Sequence, residues 1–111
     1  MELLTKLEEL ILLSVMQLGD NAYGTTIYKN ISETTGKKLS LGGVYFPLDR
    51  LVKSGYLDSF VGETTETRRG LSKRYYNLTP KARSALLEVH KVNEIMWKGF
   101  SDYSLNTAKN R

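Results

Sequence analysis

Six basic side chains lie between positions 68 and 83 of this chain, and no acidic residue interrupts them. A cluster of cations in one part of a domain is the expected footprint of a protein that binds a polyanion. The net charge of +4 agrees with this interpretation without requiring it. The chemistry that the sequence indicates first is therefore binding of a polyanion, near a basic stretch that consists of Arg68, Arg69, Lys73, Arg74, Lys81 and Arg83.

Residues for catalysis and for metal binding are scarce. With no cysteine and a single histidine, nucleophilic triads are nearly excluded. Gly36-Lys37 has neither the upstream glycine nor the following Ser or Thr of a phosphate-binding loop. His90 and Glu94 share a helix face, but two ligands do not make a metal site. We therefore expect neither an enzyme nor a metal or cofactor site.

Length and composition are those of one globular domain. The chain has 111 residues, of which 41% are hydrophobic and 25% charged. It contains neither a charged-then-apolar leader nor an apolar run near ~18 residues, so we do not expect secretion or membrane spanning. The expected compartment is the cytoplasm, in association with the bacterial nucleoid.

Apolar periodicity predicts two helices in the first third of the chain. The first runs from Leu3 to Leu18 and is apolar on most of its surface, so it needs cover on two sides. The second runs from about Tyr23 to Thr34, and Gly36 is a plausible C-cap. One side of the first helix is expected to face the core, and the other to face a partner chain.

The third predicted helix runs from about Leu41 to Lys53, after Ser40 in the N-cap position. Pro47 should cost it one backbone hydrogen bond, and Gly42 and Gly43 are poor helix formers. We expect Asp49 to pair with Lys53 at i+4 on the outer face, which leaves only the N-terminal half free for a polyanion. The predicted inner face consists of Val44, Leu48, Leu51 and Val52.

Two strands and a long helix complete the prediction. The strands are Tyr56 to Val61 and Lys73 to Leu78, joined by a polar hairpin tip. Thr79-Pro80 then opens a helix that runs to about Phe100 and outruns the core. The fold class is mostly α with a small β-hairpin, a winged helix-turn-helix plus one long C-terminal helix. The expected organisation is a winged domain over residues 1–79, a dimerisation helix over 80–103 and a polar tail over 104–111.

This order of elements predicts a surface for duplex DNA. In a helix-turn-helix the second helix of the motif, here residues 41–53, enters the major groove with its N-terminal residues against the bases. The candidate residues of this recognition helix are Ser40, Gly42, Gly43, Tyr45, Phe46 and Arg50. Outside it the candidates are Tyr23, Lys37 and Lys38, and in the wing they are Arg68, Arg69, Lys73 and Arg74.

The same residues resemble the PadR family of bacterial transcriptional regulators. The resemblance covers about residues 10–87 and rests on Tyr23-Gly24, on Ser40, Gly42, Val44-Tyr45, Leu48 and Arg50-Leu51, and on Arg68, Gly70, Lys73-Arg74-Tyr75-Tyr76 and Leu78-Thr79. The sequence departs from the family pattern at Gly43, Phe46, Pro47, Arg69 and Leu71. The short C-terminus is similar to that of members with a single dimerisation helix.

The resemblance implies a homodimer on a pseudo-palindromic operator, usually a repressor that a ligand or another signal releases. The predicted dimer interface consists of Leu3, Leu7, Val89, Val92, Met96, Trp97 and Phe100. Some short members bind flat aromatic compounds against a tryptophan of the last helix, and Trp97 lies in the comparable region. Trp97 is accordingly either interface packing or part of a site for a small aromatic effector.

Several alternatives stay open from the sequence. Tyr45 is either a packing residue or a phosphate donor, and Phe46 either touches a thymine methyl or packs against the wing. Lys37 and Lys38 either contact phosphate or serve a helix end. The alternative function is a winged-helix module for protein–protein assembly, with no specific binding of DNA.

Overall fold

The computed structural model of the protein describes residues 3–62 and 73–109. The predicted hairpin tip, including Arg68 and Arg69, lies outside these residues. The described elements are, in chain order, α1 (Lys6–Leu18), a 3₁₀ turn (Gly19–Asn21), α2 (Gly24–Thr35), α3 (Leu41–Lys53), β1 (Leu57–Val61), β2 (Arg74–Leu78), α4 (Pro80–Trp97) and α5 (Phe100–Lys109).

Helix α1 begins at Lys6, so the predicted start at Leu3 is wrong. Thr5 and Glu8 form a capping box, in which the Thr5 N–H donates to Glu8 Oε1 at 2.8 Å. The Glu8 N–H donates to Thr5 Oγ1 at 3.1 Å. These two bonds satisfy backbone donors that would otherwise lack partners, and they fix the helix end after the apolar Leu3 and Leu4.

Helix α3 has the predicted bounds, but its inner face differs by one residue. The Ser40 hydroxyl accepts from the Gly43 N–H at 2.9 Å, which confirms the predicted N-cap. Pro47 is buried in the core, whereas Val52 is only half-buried. Since proline has no N–H to offer the preceding turn, it is best placed where its ring contributes apolar packing. The buried positions of α3 are Val44, Pro47, Leu48 and Leu51.

The hairpin is held against the N-terminal end of α2. Its strands are antiparallel, with Leu57 opposite Leu78 and Val61 opposite Arg74. The Tyr76 N–H donates to Ala22 O at 3.0 Å, and Tyr23 forms a bridge with Tyr75. Backbone bonds therefore fix where the described base of the wing lies relative to α2.

One core joins the first three helices, the hairpin and the beginning of α4. The first helix supplies three side chains to it, and Tyr76 enters from β2. This burial supplies the main favourable term in the stability of the fold. The core consists of Ile11, Leu12, Val15, Ala22, Ile27, Ile31, Val44, Leu48, Leu51, Tyr56, Leu57, Tyr76 and Ala82.

The C-terminal helices extend beyond this core. The radius of gyration is 17.4 Å, against about 13 Å for a compact chain of 100 residues. Every residue described from Glu94 to Leu105 is exposed. The prediction that the last helix outruns the core is thus confirmed, and so is the fold class.

Two details of the C-terminal prediction are wrong. Helix α4 ends at Trp97 and not near Phe100, because Lys98 has an extended backbone (φ −57°, ψ 129°) and Gly99 a left-handed one (φ 80°). Such a glycine ends a helix without steric cost. A second helix, α5, then occupies the segment predicted as a polar tail. Among the helices of residues 3–62 and 73–109, none has the length and apolar character to cross a membrane.

Candidate nucleic-acid interface

The N-terminal half of α3 presents an uncovered surface. Gly42 and Gly43 are exposed, and Phe46 is 73% exposed. Arg50, the other predicted contact residue of this helix, is exposed too but lies in its last turn. Packing of Phe46 against the wing, one of the two alternatives for this residue, is therefore not observed in the described part of the hairpin. A large aromatic side chain left in solvent is a feature of contact surfaces and adds nothing to the core.

The C-terminal half of the same face is occupied by an ion pair. Lys53 Nζ lies 3.5 Å from Asp49 Oδ2, and both side chains are exposed. The predicted i+4 pair is thus confirmed. Because a carboxylate lies there and engages Lys53, this half of α3 suits a polyanion less well than the first two turns do.

Tyr45 connects α3 to the beginning of α2. Its ring lies directly on Gly24, where a Cβ atom would overlap the Tyr45 hydroxyl and two ring carbons. Gly24 is the first residue of α2, and Tyr23 is its N-cap. Tyr45 is still half-exposed, so it packs against α2 and also presents its edge to solvent.

A groove with a volume of about 220 Å³ lies at this junction. The first residues of helix α2 line this groove, and the backbone N–H groups at the start of a helix attract anions. Lys73 and Arg74 approach from the base of the wing, and none of the described residues that line the groove is acidic. Its lining consists of Tyr23, Gly24, Thr25, Tyr45, Lys73 and Arg74, and we call it the basic groove.

The two cations of the basic groove are held differently. Lys73 Nζ lies 4.3 Å from the centroid of the Tyr23 ring, a cation–π contact. Arg74 Nη1 donates to Ser59 Oγ of β1 at 3.0 Å. Both side chains are therefore oriented by the fold, and both residues are exposed.

An aromatic cluster supports the groove from behind. The Tyr75 ring meets the edge of Tyr23 at a centroid distance of 5.5 Å and stacks on Phe60 at 5.7 Å. Sequence reasoning missed Gly24, Thr25, Phe60 and Tyr75 as parts of this site. The one available signal was a glycine directly after Tyr23 at a helix start. The contacts between Tyr23, Phe60 and Tyr75 join segments far apart in the chain, which periodicity does not reveal.

Burial also perturbs one ionisable group behind the interface. Tyr76 is buried in the core, and desolvation raises the pKa of its phenol above the ordinary value of 10.0. The nearby Arg74 guanidinium opposes this shift. The Tyr76 phenol is consequently neutral throughout the physiological pH range.

The remaining predicted contact residues lie in the loop before α3. Lys37 and Lys38 are both exposed, and the chain enters the loop through Gly36, which has a left-handed backbone (φ 70°) and caps α2 as predicted. The Gly36 N–H donates to Ser32 O at 2.9 Å.

The residues predicted for a dimer interface fall into two groups. Val89 is buried within the single chain, where it lines a groove with Leu3 and Val92, and Leu7 packs on the core. Met96 and Trp97 are 76% and 64% exposed on the projecting end of α4. Trp97 forms an edge-to-face pair with Phe100 at 5.0 Å across the Lys98-Gly99 break.

His90 and Glu94 form an exposed pair, with Nε2 3.4 Å from Oε1. Among residues 3–62 and 73–109, no group of three or more His, Cys, Asp or Glu side chains is placed to hold a metal ion.

The winged helix-turn-helix with a polar, partly basic face is characteristic of transcriptional regulators. The sequence profile of the transcriptional regulator PadR-like family matches residues 12–88. The chain belongs to this family of transcriptional regulators.

Solved structures of transcriptional regulators have the same fold. A transcriptional regulator from Clostridium thermocellum is 27% identical and superposes with a TM-score of 0.70, over 87% of this chain and 88% of the other. A PadR-like transcription factor from Bacteroides fragilis is 25% identical, with a TM-score of 0.61 over 91% and 88%. A PadR family regulator from Clostridium difficile R20291 is 24% identical, with a TM-score of 0.60 over 93% and 97%. No curated protein sequence matches the chain.

Proposed function

We propose that the protein is a homodimeric repressor that binds a pseudo-palindromic operator in double-stranded DNA. The first two turns of α3 read base edges, and the basic groove and the wing contact phosphates. The observation that carries this proposal is that the basic groove lies beside the uncovered N-terminal half of α3. Base contacts and phosphate contacts would then occur on one continuous face.

The groove supplies two kinds of phosphate contact. The N–H groups at the start of α2 suit one phosphate oxygen, and Lys73 and Arg74 suit its neighbours along the strand. Arg68 and Arg69 would extend these contacts from the wing tip, and Lys37 and Lys38 from the loop before α3. Each phosphate neutralised adds to affinity that weakens with salt.

Base reading falls to a small set of side chains. Gly42 and Gly43 permit close approach of the backbone, and Phe46 offers an apolar surface. Arg50 lies beyond the first two turns and offers a long side chain with a fork of donors that would reach the same duplex from the C-terminal half of α3. A thymine methyl is the base feature that Phe46 fits. Ser40 caps the N-terminal end of α3. Tyr45 packs α3 against the start of α2 and so determines the distance between the two helices.

Homodimerisation is supported by the exposed apolar surface on the C-terminal helices. Leu87, Ile95, Met96, Trp97, Phe100 and Tyr103 are all at least half exposed, more than a monomer ordinarily leaves in water. A second copy that covers this surface would place two α3 helices on one duplex. Half-sites about one helical turn apart, ~34 Å, follow from such an arrangement.

A small aromatic effector is a further element of the proposal. The exposed Trp97 ring and its edge-to-face partner Phe100 offer a flat apolar surface on which a planar compound could stack. Quenching of the single tryptophan by a panel of planar aromatic compounds tests this point, and no quenching across the panel would remove the effector from the account.

A second candidate function is protein–protein assembly through the same face. The exposed Phe46 beside Asp49 favours it, because an acidic side chain suits a protein partner better than a duplex. This candidate predicts no specific affinity for DNA at physiological salt.

In vitro selection from random duplexes separates the two candidates. We expect an enriched palindromic sequence, and calorimetry on that duplex and on a scrambled one should show a preference of about 1000-fold or more. Equal affinity for the two duplexes would favour the assembly module. Unchanged binding by the double variant Arg68→Ala with Arg74→Ala would remove the wing from the interface.

A further inference from the structure

Lys81, the second residue of α4, reaches the C-terminal end of α3. Its Nζ donates to Ser54 O at 2.6 Å and lies 4.5 Å from the centroid of the Tyr56 ring. Its Cδ passes 3.7 Å from the place that a Cβ of Gly55 would take. Ser54 is the C-cap of α3, so the Lys81 ammonium lies where the last carbonyls of a helix leave a partial negative charge.

Thr79, the N-cap of α4, adds hydrogen bonds to this contact between the end of α3 and the start of α4, which we call the joint. Its hydroxyl donates to Gly55 O at 2.6 Å and accepts from the Ala82 N–H at 3.2 Å. The Thr79 N–H donates to Tyr56 O at 3.2 Å. The end of α3 and the start of α4 are thus held together by bonds from Thr79 and Lys81, both at the start of α4, although Ser54 and Lys81 are 27 positions apart.

This joint lies between the two helices to which the proposed function gives different tasks. Helix α3 reads the operator, and α4 pairs the protomers. The angle between them would therefore determine how far apart the two α3 helices lie in the dimer, and half-site spacing is a geometric property of that separation.

We propose that Lys81 is a positioning residue that fixes the angle between α3 and α4 and thereby restricts the half-site spacing that the dimer accepts. The inference rests on the proposed function for its consequence on DNA, but the fixed angle is a property of the single chain. It also gives Lys81, one of the six cations in the basic stretch of the sequence, a role within the fold.

The angle can be measured without DNA. The chain has no cysteine, so Asp49→Cys and Lys91→Cys provide two unique sites for nitroxide labels on exposed faces of α3 and α4. Labelled protein diluted with unlabelled protein gives the distance distribution within one chain. We expect a narrow distribution for the parent, a broader one for Lys81→Met, and recovery in Lys81→Arg, which keeps the charge and a donor.

Arg83→Met is the matched control. Arg83 is two residues further along α4, is exposed, and lines a groove with Leu78 and Leu86 on the side facing α1. The Arg83→Met variant loses one positive charge from the same turn of α4 but keeps Lys81 and its contacts. Its distance distribution should therefore equal that of the parent. An unchanged distribution in Lys81→Met overturns the proposal, whatever the protein does with DNA.

The DNA measurement uses the selected operator with its half-sites moved apart in steps of one base pair. The parent should show one sharp optimum, whereas Lys81→Met should accept a wider range of spacings. It should bind the best spacing several-fold more weakly, because a freer joint has to be ordered on binding. For Lys81→Met, the slope of log affinity against log salt concentration should equal that of the parent. A slope reduced by about 0.9, with the spacing optimum kept, would make Lys81 a phosphate contact instead.

These outcomes separate the two proposals. Failure of the parent to prefer any duplex contradicts the proposed function and leaves the distance measurement to decide on the joint. An operator-specific parent with an unaltered Lys81→Met variant contradicts the joint alone.

Discussion

The ring of Tyr45 on α3 lies on the backbone of Gly24 at the start of α2, with no room for a Cβ atom between them. This contact sets the distance between the helix that would read bases and the helix end that would bind phosphate. It also explains why the smallest residue occupies the first position of α2.

Replacing Gly24 should separate these two helices. Gly24→Ala should lower the free energy of unfolding by about 1–3 kcal/mol, the usual cost of overpacking, as measured by urea denaturation. In a Tyr45→Ala background the ring is absent, so the same replacement should cost far less. Equal costs in both backgrounds would show that the two residues are not coupled.

Phe46 should matter for recognition and not for stability. Because its side chain is largely exposed, Phe46→Ala should change the free energy of unfolding by no more than about 0.5 kcal/mol. We expect operator affinity to fall several-fold while affinity for scrambled duplex stays constant. The same loss on both duplexes would mean that Phe46 does not contact bases, and Met16→Ala, at an exposed apolar position of α1, serves as control.

The buried phenol of Tyr76 should make stability fall at alkaline pH. Burial raises its pKa above 10.0 in the folded protein, so the folded state resists an ionisation that the unfolded state accepts near that value. The contribution is complete below about pH 10 and is lost as pH rises from there through the folded-state pKa. When thermal unfolding is measured from pH 8 to 11, the unfolding temperature should fall less steeply with pH for Tyr76→Phe than for the parent.

A matched replacement of an exposed phenol controls for the alkaline lability of the whole chain. Tyr103 lies on α5 and is exposed, so Tyr103→Phe should follow the parent curve. If the unfolding temperature of Tyr76→Phe falls as steeply with pH as that of the parent, the pH dependence belongs to other groups.

Self-association should depend on the exposed end of α4. Met96→Asp places a charge in the proposed apolar interface and should shift sedimentation equilibrium toward monomer by at least tenfold in dissociation constant. Lys91→Asp, on an exposed position of the same helix, should leave the dimer intact. A parent that sediments as a monomer at micromolar concentration would contradict the homodimer itself.

The sequence predicts best where a local signal marks an element. Ser40 and the Ser54-Gly55 pair mark both ends of α3, and Thr79-Pro80 marks the start of α4. Thr5 and Glu8 carried an equally local signal for α1, but the apolar Leu3 and Leu4 extended the helical pattern across it. Local chemistry decided that end, because a capping box satisfies backbone donors that apolar side chains do not.

Other features depend on contacts that no local pattern contains. The position of Tyr45 on Gly24, the bridge between Tyr23 and Tyr75, and the bond from Lys81 to Ser54 all join separate elements. Basic residues alone predicted a polyanion site, but charge does not distinguish Lys73 in the basic groove from Lys81 at the joint. Helix α5 escaped prediction because ten residues of mixed polarity carry little helical signal of their own.

The central claim is that the basic groove contacts DNA phosphates, and the salt dependence of operator binding tests it most directly. Affinity should be measured from 50 to 300 mM salt for the parent, for Lys73→Met and for Lys91→Met, in which the replaced lysine is exposed on α4 outside the groove. The account predicts that the slope of log affinity against log salt falls by about 0.9 for Lys73→Met and stays unchanged for Lys91→Met. A parent slope near zero, or an identical slope for Lys73→Met and the parent, would contradict it.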